Sequence, residues 1–129
     1  MTAGTASSPV LLDSSSWLEY ITLDAKADAV APYLEGERSI FVPTIVIYEV
    51  YKKLKLSWGK TEADRFASQA MRRQVIPLDD ALALAAANTS LQLKLAMADA
   101  IIYTTALAFQ AELITSDQAF SGLPGVALL

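Results

Sequence analysis

Val10-Leu11-Leu12-Asp13-Ser14-Ser15-Ser16-Trp17-Leu18 is the stretch that decides the fold. Its first three residues are apolar without alternation, as in a strand buried on both faces. The run stops at Asp13. Three serines follow, and then Trp17, Leu18, Tyr20 and Ile21 recur at helical spacing. A short buried strand that ends on an acid and turns directly into a helix is the opening unit of a parallel α/β sheet.

The same rhythm continues downstream. The pattern predicts a helix over 24–35, with Ala29, Val30, Tyr33 and Leu34 inward and Gly36 as its stop. A second strand over 39–42 closes at Pro43, and Thr44 caps a helix that runs to Leu56 and breaks at Trp58-Gly59. A helix over 61–74 opens on Thr61-x-x-Asp64, a variant of the capping box. A third strand covers 75–78, and Asp79-Asp80 opens an Ala/Leu helix that fades near Asn88. A long helix over 97–111, a strand over 113–115, a short turn or helix over 117–120 and a fifth strand over 126–129 complete the series. Residues 1–9, small and polar and ending in Pro, read as a disordered leader before one domain over 10–129. The expected fold is therefore α/β: a mainly parallel central sheet of four to five strands flanked by helices.

Composition narrows the chemistry. A chain of 129 residues holds one ordinary domain. With 53% hydrophobic and 19% charged residues it has a core to bury and is not disordered. The longest apolar run, 81–87, is far too short for a membrane span, and no cleavable leader precedes the domain, so a cytoplasmic location is expected. The chain has no Cys and no His. That excludes disulfides, thiolate nucleophiles, Ser-His-Asp triads and imidazole metal sites. Catalysis must rest on carboxylates, hydroxyls, Lys/Arg or an ion held by oxygens, which suits Mg²⁺, Mn²⁺ or Ca²⁺.

The net charge of −4 hides a partition. Residues 51–73 carry seven bases against two acids, or +5, and the rest carries three bases against twelve acids, or −9. Lys52, Lys53, Lys55, Arg72 and Arg73 form a candidate phosphate-binding surface within the basic window, although a solvated pair of helices has the same composition.

In open parallel sheets, ligands bind beyond the carboxyl ends of the strands. Asp13 and Asp117 stand just past two expected strands, and Asp99 opens an apolar helix. Each has a local explanation: a helix cap, an Asx-turn, a favourable charge at a helix start. Glu49 is harder to explain. It sits in Ile45-Val46-Ile47-Tyr48-Glu49-Val50-Tyr51, where a carboxylate is costly unless solvated, paired or bound to a metal. Four carboxylates brought together repel one another and call for a cation.

The segments carrying these acids resemble the PIN domain, in particular the VapC-type toxins of toxin–antitoxin pairs. They are Leu11-Leu12-Asp13-Ser14-Ser15-Ser16-Trp17-Leu18, Val42-Pro43-Thr44-Ile45-Val46-Ile47-Tyr48-Glu49-Val50, Met97-Ala98-Asp99-Ala100-Ile101-Ile102-Tyr103 and Leu113-Ile114-Thr115-Ser116-Asp117-Gln118-Ala119-Phe120. They occur in family order, and the resemblance spans about 10–129. It implies a metal-dependent endoribonuclease with catalytic acids Asp13, Glu49, Asp99 and Asp117. Asp13, Asp99 and Asp117 would hold Mg²⁺ or Mn²⁺, and Glu49 would orient or deprotonate the attacking water. Ser14 and Thr115 match the family's hydroxyl positions and would fix carboxylate orientation. The resemblance also implies a homodimer and a cognate antitoxin, whose segment would pack on the helix carrying Trp17, Tyr20 and Ile21. A plain core stripe also accounts for those three side chains.

Other readings fail at named residues. Gly59-Lys60-Thr61 lacks the earlier glycine of a phosphate-binding loop, since Leu54 stands there. A receiver domain needs two acids after its first strand, and an Asp-x-Asp phosphatase needs an acid where Ser15 stands. The remaining alternative is a non-catalytic domain of the same fold that binds protein or RNA.

Overall fold

The computed structural model describes residues 8–129. The elements in chain order are β1 (Val10–Leu12), α1 (Ser14–Ile21), α2 (Ala27–Glu35), β2 (Ile40–Pro43), α3 (Thr44–Ser57), α4 (Lys60–Met71), β3 (Gln74–Ile76), α5 (Asp80–Leu93), α6 (Met97–Ala108), β4 (Glu112–Thr115), a 3₁₀ turn (Gln118–Phe120) and β5 (Val126–Leu128). The strands form one sheet of five in the order β3-β2-β1-β4-β5, every neighbouring pair parallel. The fold class and the fifth strand are as expected.

β1 is central. Val10, Leu11 and Leu12 point to alternate faces, yet all three are fully buried, so helices cover both sides of the sheet there. Val10 pairs with Ile40 on one side and Glu112 on the other. The chain builds outward from β1 to β2 and β3, then crosses back to lay β4 against the other edge of β1. The point where that direction reverses lies between β1 and β4, and in such sheets it opens a crevice at the carboxyl ends. Trp17 meets Phe66 edge to face at 5.4 Å between ring centres, joining α1 to α4 inside the core. Among the described residues, no helix is long and apolar enough to cross a membrane.

Several boundaries differ from expectation, each for a local reason. α2 begins at Ala27, because Asp24 spends its side chain on the Ala25 N–H and its carbonyl on the Ala27 N–H in a preceding turn. Ala29 is exposed, while Val30 and Leu34 are buried. Thr44 does not cap α3. It is the first helical residue, and its Oγ1 accepts from the Leu78 N–H, tying the segment after β3 to the helix start. Thr61 does not cap α4, which starts a residue earlier from Gly59. Gly59 has φ +97°, a backbone that side-chain-bearing residues rarely adopt. Asp64 is instead taken by Lys60 and by the Tyr51 hydroxyl.

α4 ends at Met71, which frees Gln74 to pair with Phe41, and β3 stops before Pro77. α5 runs on to Leu93, because Thr89 and Ser90 satisfy their hydroxyls on the Ala85 and Leu95 carbonyls and so remain compatible with the helix. α6 ends at Ala108, where the chain turns through Gln110 at φ +53°. Most of the expected leader lies outside the described residues. Its last two residues are held: Arg38 donates to the Ser8 carbonyl, and the Pro9 carbonyl accepts from the Glu112 N–H.

Candidate active site

Four carboxylates come from four elements at the carboxyl end of the sheet. Asp13 leaves β1 and caps α1, its Oδ1 accepting from the Ser16 N–H at 3.0 Å. Asp117 follows β4 and caps the 3₁₀ turn through the Ala119 N–H. The two strands flank the reversal point, so the fold itself sets these two acids side by side. Glu49 is in the second turn of α3, which starts from the carboxyl end of β2. Asp99 is in the first turn of α6.

Hydroxyl groups hold two of these acids, Asp13 and Glu49. Asp13 is only 3% exposed and has no basic partner among the described residues. It accepts from Thr115 Oγ1 at 2.6 Å and from Ser15 Oγ, which lies 2.9 Å from both carboxylate oxygens. Thr115 Oγ1 also accepts from the Asp117 N–H at 2.9 Å, so its one hydrogen is committed to Asp13. One hydroxyl thus sets Asp13 against the backbone of Asp117. Ser14 Oγ donates to Glu49 Oε1 at 2.6 Å, linking α1 to α3. The expectation for Ser14 and Thr115 placed them on carboxylates, and both are there. Sequence reading missed Ser15, Ser116 and Glu19: Ser116 donates to Glu19 Oε1 at 2.9 Å and lies 3.4 Å from Ser15 Oγ. The only signal was position, two residues after Asp13 and one before Asp117.

The charges are close enough to act on one another. Burial pushes the Asp99 carboxyl up to about 6, and the charges of Asp117, Asp13 and Glu49 add to the rise. Among the described residues, the ion pairs are Arg38–Glu112, Lys60–Asp64 and Arg65–Glu62, so none neutralises the four acids. No three acidic groups among the described residues converge as a preformed metal cage. An all-oxygen, uncompensated set of this kind fits Mg²⁺ or Mn²⁺, since Mg²⁺ keeps several waters and needs only one or two direct carboxylates. Asp13, Asp117 and Asp99 are the carboxylates that could hold such an ion, directly or through water.

The raised Asp99 value makes a test. A carboxyl whose folded value lies above its unfolded one stabilises the fold at low pH and loses that contribution as pH rises through about 6. Asp99→Asn mimics the protonated form. In EDTA the variant is expected to melt above the parent at pH 8, with the gap closing toward pH 5. A gap independent of pH would show that Asp99 is not the group under strain.

The structure divides the basic window. Lys52, Lys53 and Lys55 are exposed on α3 and follow Glu49 by three, four and six residues, about 4.5 to 9 Å further along the axis. Lys52 and Lys55 lie over the Tyr48 and Tyr51 rings. Arg72 and Arg73 precede β3, at the opposite end of the sheet from the carboxylates, and Arg73 donates to the Leu34 carbonyl. Trp17 is core, whereas Tyr20 and Ile21 line a surface cavity of about 280 Å³ together with Leu23, Ala31 and Phe66.

The PIN-domain family model matches residues 10–126. The chain belongs to the PIN-domain family. No curated protein matches it significantly. Among solved structures, the PIN domain is similar to a toxin–antitoxin complex from Klebsiella pneumoniae, with TM-score 0.79 and 23% identity over 92% of this chain and 95% of that one. It is similar to VapC20 of Mycobacterium tuberculosis, described as a toxin that cleaves the sarcin-ricin loop, with TM-score 0.77 and 15% identity over 91% and 96% of the two chains. It is also similar to VapBC2 of Rickettsia felis bound to a promoter DNA fragment, with TM-score 0.71 and 17% identity over 93% and 96%. At these identities the likeness is one of fold.

Proposed function

We propose that this PIN domain is a metal-dependent endoribonuclease and the toxin half of a VapBC-type toxin–antitoxin pair. The observation that carries the reading is the pairing of Asp13 and Asp117 at the reversal point of the sheet, with Glu49 and Asp99 beside them and, among the described residues, no base to neutralise the four. Family membership and the toxin fold of its structural neighbours support it.

Hydrolysis joins a water oxygen to phosphorus as the bond from phosphorus to one ribose oxygen breaks. Asp13, Asp117 and Asp99 would hold a divalent ion, which when bound would lower the pKa of water and offset charge on the phosphate. Glu49, with Oε1 held by Ser14, has Oε2 to take the proton of the attacking water. Thr115 and Ser15 keep Asp13 from turning as charge builds. The deciding experiment is cleavage of a mixed RNA pool by partner-free protein in Mg²⁺, in Mn²⁺ and in EDTA. Metal-dependent cutting supports the enzyme. Folded protein that never cuts supports the non-catalytic alternative.

Lys52, Lys53 and Lys55 are the proposed RNA contacts, because they share α3 with Glu49; Arg72 and Arg73 are too far round the sheet to serve the same phosphates. Replacing the three lysines with Ala is expected to lower the slope of log affinity against log salt by about 2 on single-stranded RNA. Arg72→Ala with Arg73→Ala is expected to leave the slope unchanged. A reversed result in salt titrations would move the RNA path to the other end of the molecule.

A cognate antitoxin and a homodimer complete the proposal, with both acting in the cytoplasm. Leu84 and Leu91 lie seven residues apart on one face of α5 and are 71% and 81% exposed, and Met97 nearby is 71% exposed. That apolar strip fits a second copy of the chain. Leu84→Glu with Leu91→Glu is expected to turn a dimer into a monomer by light scattering, and a persistent dimer would place the interface elsewhere.

A further inference from the structure

Glu19 is a fifth carboxylate near the site, and no role assigned so far uses it. It lies on α1 one turn after Ser15, so the two share a helix face. Across from them is Ser116, between Thr115 and Asp117 in the loop that leaves β4. Ser116 Oγ donates to Glu19 Oε1 at 2.9 Å and stands 3.4 Å from Ser15 Oγ. Ser15 in turn bridges both oxygens of Asp13.

We propose that Glu19 is a positioning residue that holds Ser116, and through it the Asp117 loop, against α1, setting the placement of Asp117 relative to Asp13. This rests on the metal-dependent reading given above. A serine hydroxyl has one hydrogen to give. Glu19 claims that of Ser116, which leaves the Ser15 hydrogen on Asp13. Without Glu19, the Ser116 hydroxyl turns to Ser15 or Asp13 as a competing donor. The loop then loses the Ser116 tie that fixes it to Glu19 on α1, while the Thr115 hydroxyl stays on Asp13. A plain surface hydrogen bond would not bear on the acids. This one has Asp117 as the chain neighbour of its donor, and Asp13 bound by the residue one helical turn before its acceptor.

The clamp makes a prediction about charge. If Glu19 acts as an acceptor, a neutral amide with its oxygen in the same place suffices. If it acts as a further negative charge near the ion, the amide fails.

The experiment is Mn²⁺ affinity by calorimetry on the whole protein, with melting temperatures alongside. The variants are Glu19→Gln, Glu19→Ala, Ser116→Ala and the Glu19→Ala/Ser116→Ala pair, beside Asp13→Asn. Expected are about tenfold weaker Mn²⁺ binding in Glu19→Ala, within the range for removing a residue that supports a ligand, and a similar loss in Ser116→Ala. The pair should be no weaker than the worse single variant, and Glu19→Gln should bind within about twofold of the parent. RNA turnover should follow the same order with KM unchanged. Parent-like affinity in Glu19→Ala, additive losses in the pair, or a Gln variant as weak as Ala each overturns the clamp. Ser116→Ala and Glu19→Gln keep the test decisive if Glu19→Ala does not fold. Mn²⁺ binding that is indifferent to Asp13→Asn overturns the metal-dependent reading, and the clamp with it. Binding lost in Asp13→Asn but untouched in Glu19→Ala overturns the clamp alone.

Discussion

Glu49→Gln is expected to abolish RNA cleavage, by more than about 100-fold, while leaving the melting temperature close to that of the parent. The magnitude follows from comparison. Removing a residue that merely supports a ligand costs about 10–100-fold, so removing the proposed proton acceptor should cost more. Stability is spared because Gln keeps an amide oxygen where Glu49 Oε1 accepts from Ser14, so the α1–α3 link survives. Asp13→Asn is expected to abolish cleavage equally, but not cleanly. The Asp13 carboxylate meets donors on both oxygens, the Ser16 N–H on Oδ1 and the Thr115 hydroxyl on Oδ2. An amide turns its NH₂ toward one of them, and an unmet buried pair of donors costs about 1–3 kcal/mol. The Glu49 variant is therefore the sharper probe of chemistry. Cutting at parental rates in Glu49→Gln would remove Glu49 from the proton's path.

Trp17→Ala is expected to lose about 3–5 kcal/mol of folding stability, close to the whole stability of a marginal domain. Trp17 is 1% exposed and meets the fully buried Phe66, so the cavity opens between α1 and α4, where neither helix can close it without moving off the sheet. Trp17→Phe is expected to cost less than about 1.5 kcal/mol. The indole N–H has no acceptor among the described residues, so its loss leaves nothing unpaired. Urea unfolding of both variants checks the contrast. A Phe variant as damaged as the Ala variant would mean that the indole N–H is in fact bonded.

Both variants bear on how much the sequence disclosed. Asp13 and Asp117 were legible because a buried strand has sharp ends and ligands gather beyond them. Glu49 was legible because a charge amid Ile45, Val46 and Val50 needs a reason. The hydroxyl web was less so. Ser15 and Ser116 look like any loop serine until β1 and β4 lie side by side, 101 residues apart in the chain. Thr44 had the composition and place of a cap, but the Leu78 N–H claimed its hydroxyl from across the fold. Arg72 and Arg73 were grouped with Lys52, Lys53 and Lys55 by nearness in sequence. α3 and α4 carry the chain back to the amino end of β3, so nearness in sequence became distance in space.

The junction of β1 with β4 has a consequence for how such a protein is made. Its strand partners, Leu12 and Ile114, are far apart in the order of synthesis. Thr115 and Asp117 reach Asp13 only once β4 has docked, and docking of a pair this remote is a late and slow event. A nascent chain halted between residues 99 and 112 carries Asp13, Glu49 and Asp99 but lacks β4, Thr115 and Asp117. For the ribonuclease proposed above, translation itself would then act as a safety catch, since the four acids come together only when the last strands are in place.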